Sequence, residues 1–203
     1  MTTARIDILV LDAHGVVLNN PFKSFLGNLA SLTGEKVESV QRRWDEEIRT
    51  AAWTGKITDP ELWVALRGNH STCPTECQSL LEALYEVGPA APYLESWGKK
   101  TSIWLLSNHR SHWLIPRLRR FDLVKHFDRV LISDEMGVAK PNPKAFAPIL
   151  EEVDSPKSVL FVDDQSRNVE AARELGIVGI DLNQTPYWAK QVEEALNKSN
   201  GEG

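Results

Sequence analysis

The sequence predicts a doubly wound α/β fold: a parallel sheet with helices on both faces and an all-helical insertion after the first strand. Three observations lead there. Apolar runs of strand length recur along the 203 residues, helical patterns separate the later runs, and one interval of about 90 residues contains no strand signal. That length allows one well-buried core plus an insertion.

The expected strands cover residues 6–11, 102–106, 130–132, 158–162 and 178–181. They are short and apolar on both faces, as strands covered from both sides must be. Helical patterns follow at 111–121, 143–152, 166–175 and 186–197, and Gly176 supplies a helix stop. Between the first two strands the chain reads as four helices, at 22–32, 37–50, 59–67 and 74–87. Thr33-Gly34, Thr54-Gly55 and Gly68-Asn69 punctuate them. Residues 19–88 are therefore expected to form a small helical domain, and 1–18 with 89–203 the α/β core. An insertion leaving the carboxyl end of the first strand sits where open α/β sheets bind ligands, so it is placed to act as a lid. The tail at 198–203 reads as frayed.

Composition narrows the function. Hydrophobic residues make up 42% and charged residues 25%, with a formal net charge of −5. An acidic chain exerts no general pull on nucleic acid or anionic membrane, so an anionic ligand must be held by local donors or a metal. The start MTTARIDILVLDA does not read as a signal peptide, because Asp7 and Asp12 interrupt a short apolar run. No stretch reaches the roughly 20 apolar residues of a membrane span. Two cysteines make no disulfide framework, and a cytoplasmic location is the expectation. His70, Cys73 and Cys77 offer three metal ligands without a fourth, and the simpler reading is a helix start with Cys77 facing inward. Monomer and homodimer both stay open.

Four polar stretches fall at or just beyond strand ends: Asp12-Ala-His14-Gly15, Ser107-Asn108-His109, Lys140-Pro141 and Asp163-Asp164. Parallel topology gathers them at one sheet edge. Asp12 can attack phosphorus to give an acyl phosphate. Asp163 and Asp164, with Asp12, offer hard oxygen ligands for Mg²⁺. The Ser107 hydroxyl and neighbouring N–H groups can donate to phosphoryl oxygens, and Lys140 supplies a fixed positive charge.

These stretches resemble the four motifs of the haloacid dehalogenase-like (HAD) superfamily, in the subclass with a small helical cap after the first motif. LVLDAHGVV resembles the first motif, WLLSNHR the second, SDEMGVAKPNPKAF the third and VLFVDDQSRNVEAARELGI the fourth. The resemblance spans nearly the whole chain. It implies a HAD-like Rossmannoid core in which Asp12 is the nucleophile, Ser107 binds phosphoryl and Lys140 organises charge. It also implies Mg²⁺ held by Asp12, Asp164 and the backbone carbonyl of His14, with Asp163 supporting or exchanging roles with Asp164.

Position 14, usually a second aspartate, is His. An imidazole there can be the general acid–base, raised by a neighbouring phosphate and carboxylate, or simply a spacer carrying its carbonyl. Gly15 is expected to allow a tight turn against the phosphate, with Asn108 as a further phosphoryl contact. Trp53 and Lys56, around Thr54-Gly55, resemble the cap's specificity loop. The other tryptophans read as packing, His109 and His112 as helix-start residues, and Arg117–Arg120 as a solvated helix face. The implied function is a Mg²⁺-dependent phosphatase acting on a small phosphorylated metabolite, a sugar or polyol phosphate first. Its rivals are a catalytically weakened binding or regulatory protein, and a phosphonatase, dehalogenase or mutase.

Overall fold

In a computed structural model, which describes residues 5–68, 70 and 74–198, five strands form one parallel sheet. They are β1 (Ile8–Leu11), β2 (Ser102–Ser107), β3 (Arg129–Ile132), β4 (Val159–Asp163) and β5 (Val178–Asp181), in the order β3-β2-β1-β4-β5. Alternation along β1 sends Leu9 and Leu11 into one apolar cluster and Ile8 and Val10 into another on the opposite face. The register sets Leu11 beside both Leu105 and Val162. Asp12, Ser107 and Asp163 thereby emerge at the same edge.

Between β1 and β2 run α1 (Phe22–Thr33), α2 (Val37–Arg43), α3 (Arg49–Trp53), α4 (Asp59–Arg67), α5 (Pro74–Glu82) and α6 (Leu94–Gly98). The rest of the chain adds α7 (Ser111–Arg120), α8 (Ser133–Met136), α9 (Ala147–Leu150), α10 (Ser166–Glu174) and α11 (Trp188–Lys198). Local chemistry explains the ends. Gly34 takes φ +71° and donates its N–H to the Ala30 carbonyl, closing α1. Thr58 and Glu61 form a reciprocal capping box that starts α4.

Several expected boundaries move. The helix expected over 37–50 continues to Trp53 and contains a π-helical turn at Trp44–Ile48, which brings both of those side chains inward. The helix expected over 74–87 ends at Glu82, and the chain then pairs Leu18 with Val87 as an antiparallel bridge. The expected 143–152 helix is a 3₁₀ turn at Pro143–Phe146 followed by α9. β1 begins at Ile8 rather than residue 6, and α6 and α8 were not legible from periodicity.

The segments entering and leaving the helical excursion are stitched together. Asn19 N–H donates to the Glu86 carbonyl at 3.0 Å, Gly88 N–H to Val17 at 2.8 Å and Ala90 N–H to Val16 at 2.9 Å. Gly88 is there because a Cβ would stand 2.4 Å from the Val16 oxygen.

Three contacts then dock the helices on the core. The Asp59 carboxylate accepts from the Arg110 guanidinium, from Trp113 Nε1 at 2.8 Å and from His112 Nε2 at 2.8 Å. The Ser133 hydroxyl donates to the Trp53 carbonyl. Arg117 pairs with Glu82 and lies 4.3 Å from the centre of the Tyr85 ring.

Arg117 therefore corrects one expectation. It is 2% exposed and its neighbours Arg119 and Arg120 alone face solvent, because a helix turns Arg117 onto the Leu114 side. Cys77 is buried as expected. Cys73, and with it the three-ligand reading, lies outside the described residues, as does the tail from 199. Among the described residues no helix is long and apolar enough to cross a membrane.

Candidate active site

The floor of the site is an ion cluster. Lys140, 3% exposed, places Nζ 2.9 Å from Asp12 Oδ1 and 2.6 Å from Asp163 Oδ2. Asp163 is fully buried and further accepts from Gln165 N–H at 2.8 Å and from Asn168 Nδ2 at 3.0 and 3.1 Å. Its oxygens are thus engaged in holding Lys140 and the first turn of α10. Asn168 escaped the sequence reading; its signal is a polar residue on the inward side of α10, five positions after Asp163.

Asp164 differs from its neighbour. Its Oδ1 is buried without a hydrogen-bond partner. Carboxylate oxygens of Asp12, Asp163 and Asp164 all come within 4.8 Å of one another. Burial, joined by Asp163 and Asp164, pushes Asp12 up to about 8 against the opposing pull of Lys140, and burial with Asp163 raises Asp164. Three clustered carboxylates with one lysine lack positive charge, and hard oxygens with an unpaired acceptor suit a divalent cation such as Mg²⁺. Gly15, at φ +82°, makes the approach possible: a Cβ there would fall 2.3 Å from Asp164 Oδ2.

Ser107 and Asn108 part ways. The Ser107 hydroxyl is buried with no partner, a donor awaiting an acceptor. The Asn108 side chain instead clamps the backbone of Lys140, donating to its carbonyl at 2.7 Å and accepting from its N–H at 2.8 Å. It holds the lysine in place, which the direct-contact expectation for Asn108 did not include.

His14 sits in an aromatic stack. Its ring lies on His109 (centroids 4.5 Å apart, planes at 16°), which lies on Trp53 (4.8 Å, 22°). The Tyr85 hydroxyl is 3.2 Å from His14 Nε2 and 3.3 Å from His109 Nε2. His109 Nδ1 is 3.1 Å from the Arg110 carbonyl, which only accepts, so that nitrogen carries the proton. Neutral His109 then accepts from Tyr85 through Nε2, and the phenol oxygen accepts from Nε2–H of His14. The sequence reading missed Tyr85 and took His109 for a helix-start residue. The stack is made by parts of the chain that periodicity does not bring together.

Burial, with Arg117 and Lys140, pushes His14 down to about 3, opposite to the expected rise. Burial and His14 likewise hold His109 well below the usual imidazole value. The sign of the stability effect follows. Below about pH 6.5 the unfolded chain takes up protons that the folded imidazoles refuse, so each histidine removes about 1.4 kcal/mol of stability per pH unit. The raised carboxylates act in the opposite sense, so comparison with a variant isolates the imidazole. His14→Gln is expected to gain about 2 kcal/mol on wild type between pH 6.5 and 5. Parallel melting curves across that range would contradict a buried neutral His14.

A cavity of about 870 Å³ opens over these groups, lined by Asp12, His14 and Lys140 and, from the helical excursion, by Phe22, Trp44 and Trp53. Lys56 lines it too, so both residues of the expected specificity loop reach it.

A parallel sheet with a lysine–carboxylate cluster at the carboxyl ends of its strands defines an α/β enzyme of the Rossmann-like class. The particular family follows from comparison: a family model described as haloacid dehalogenase-like hydrolase matches residues 25–176, and the chain belongs to that family. The matched stretch contains Ser107, Lys140, Asp163 and Asp164 and begins after Asp12.

Among curated relatives, the phosphorylated carbohydrates phosphatase of Thermotoga maritima is 32% identical over 80 residues, covering 39% of this chain and 37% of that protein. The phosphoglycolate phosphatase of Escherichia coli is 27% identical over 85 residues, covering 41% and 34%. These matches span little more than a third of either relative. A HAD family enzyme from Bacteroides thetaiotaomicron has the same fold, with TM-score 0.78, 22% identity and coverage of 93% of this chain and 98% of that one. A mutant form of it, solved with magnesium and inorganic phosphate, gives 0.73 at 23% identity, covering 87% and 93%.

Proposed function

We propose that this hydrolase is a Mg²⁺-dependent phosphatase that cleaves a small phosphorylated metabolite through an acyl phosphate on Asp12. The observation that carries the reading is the pair of unpartnered buried polar atoms, Asp164 Oδ1 in the carboxylate cluster with Asp12 and Ser107 Oγ at the end of the neighbouring strand. One is a donor without an acceptor and the other an anion without a cation. A phosphoryl group with its metal supplies both.

In this reading Asp12, Asp164 and the His14 carbonyl hold Mg²⁺, while Asp163 holds Lys140. When bound, Mg²⁺ would screen the phosphoryl oxygens from the carboxylates. The Asp12 carboxylate attacks phosphorus and the bond to the leaving oxygen breaks. Lys140 and Ser107 meet charge growing on the equatorial oxygens. Without substrate, burial keeps His14 neutral; a bound phosphoryl dianion would favour its imidazolium, which gives its proton to the leaving alkoxide and regains one from the water that attacks the acyl phosphate and releases Asp12. The helices at 19–88 serve as the cap, docked through Asp59, Ser133 and Arg117 so that the cavity is shielded from bulk water. Sugar or polyol phosphates fit the cavity, and a relative named for phosphorylated carbohydrates supports that class.

A screen of phosphomonoesters with and without Mg²⁺ tests the proposal. Phosphate release that needs Mg²⁺ and is absent from Asp12→Asn is the expected result; silence on every compound would favour a binding protein. A second expectation concerns the metal alone. At one hundred times its Kd, Mg²⁺ should stabilise the fold by about 2.7 kcal/mol, a rise of roughly 5–10 °C in Tm. Asp164→Ala should lose most of that rise, and a flat Mg²⁺ titration of the wild type would remove the metal from the account.

A further inference from the structure

The cavity rim carries a charge that the transferred phosphoryl group does not explain. Apart from Asp12 and Lys140 at the floor, its charged lining residues are Lys23, Arg49, Lys56 and Arg167 against a single carboxylate, Asp45. The chain as a whole has 28 acidic and 23 basic side chains, so composition predicts the reverse balance.

One of these cations is poorly placed for its own stability. Arg167 lies in the first turn of α10, where the helix dipole is positive. Desolvation and then the charge of Arg49 lower its pKa, against the opposing pull of Asp163 and Asp45. Its polar contact is to a neutral group, the Gln165 amide oxygen at 2.7 Å. Among the described residues no carboxylate forms an ion pair with Arg167, and Arg49 reaches only Asp45, at 2.7 Å. Arg49 comes from the helical excursion and Arg167 from the sheet domain, three residues beyond Asp164. Two guanidiniums converge on one cavity with one carboxylate between them, an arrangement relieved by an anion in the cavity.

We propose that the substrate is a phosphomonoester carrying a second anionic group, a carboxylate or another phosphate, held by Arg49 and Arg167 while the first phosphoryl group meets Asp12. The proposal rests on the phosphatase reading and narrows its substrate class: a neutral polyol phosphate leaves the guanidinium pair uncompensated, whereas an acid or bisphosphate on the same skeleton satisfies it. A planar guanidinium can grip either anion bidentately, so carboxylate and phosphate share the recognition chemistry.

A matched pair of substrates tests this: 3-phosphonooxypropanoate and 3-hydroxypropyl phosphate, with propane-1,3-diyl bisphosphate as a third arm. The wild type should favour at least one of the two compounds with a second anionic group over the hydroxypropyl ester by roughly 10–100-fold in kcat/KM, the worth of one or two charge-assisted hydrogen bonds. Which of the two is preferred tells carboxylate from phosphate. In the double variant Arg49→Gln, Arg167→Gln that ratio should collapse toward one. A wild-type ratio near one for both compounds, or a ratio unchanged in the double variant, overturns the subsite.

If the wild type releases phosphate from no phosphomonoester, the phosphatase reading fails on its own and the subsite is judged by binding. Malonate, without Mg²⁺, should then raise the Tm of wild type and not of the double variant, and equal shifts or none would overturn the proposal. Both arginines lie at the rim, and the Tm of the double variant in plain buffer reports whether it folds.

Discussion

Asp12→Asn is expected to lower phosphate release by about 10⁴-fold or more, the scale of losing a covalent nucleophile. An amide keeps the size of the carboxylate but cannot form the acyl phosphate. The local geometry tolerates the change. The amide oxygen can still accept from Ala13 N–H, which lies 2.7 Å from Oδ1 in the native site, and Lys140 retains Asp163 at 2.6 Å. Because the cluster is short of positive charge, removing one carboxylate relieves repulsion, and Tm should hold or rise. Acid quenching during turnover of labelled substrate should trap phosphoenzyme in wild type and none in the variant. Retention of a tenth of the native rate by Asp12→Asn would end the covalent reading.

His14→Ala is expected to slow alkyl phosphates by roughly 10²–10⁴-fold, the usual size of a proton-transfer contribution. The two half-reactions separate its roles. An aryl phosphate needs no proton on its leaving group, so Asp12 should still be phosphorylated rapidly and release a burst of phenolate equal to the enzyme present. Turnover would then stall at the water step, where His14 takes the proton. Alkyl substrates should show no burst. Equal losses on both classes without a burst would leave His14 as a support for its neighbours. Tyr85→Phe keeps the ring beneath Arg117 but removes the hydroxyl that joins His14 to His109, and it should show a weaker form of the same pattern.

The five strands and the edge where Asp12, Ser107 and Asp163 emerge were legible because buried parallel strands write themselves as short apolar runs. Asp164 was legible because it follows such a run directly, and Lys140 because its proline-flanked loop resembles the third motif. What escaped depends on contacts between distant segments. His109 and Arg117 sit at a helix start and in a basic run, patterns usually met on solvated faces. Tyr85 and Glu82 cover Arg117, while Tyr85, His14 and Trp53 enclose His109. The partition between Asp163 and Asp164 is likewise tertiary, set by Lys140 and Asn168. The π turn at Trp44–Ile48 keeps helical spacing in the sequence and shifts register only in space.

The pairing of Leu18 with Val87 bears on the order in which the chain folds. β1 must find β2 across the whole helical excursion, residue 8 meeting residue 102, and closing so long a loop slows a sheet of non-local contacts. If the excursion forms first, its helices supply mainly local contacts, and its two ends are brought side by side by the bonds around Asn19 and Gly88. The loop left to close then shrinks from about 90 residues to about 20, which lowers the entropy of closure by about 1 kcal/mol. Substitutions that loosen this clasp, such as replacement of Gly88 by a residue whose Cβ meets Val16, therefore bear on refolding speed as well as on native stability. The helical insertion, placed by topology over the site, is also the element that lets the central strand of the sheet find its first neighbour.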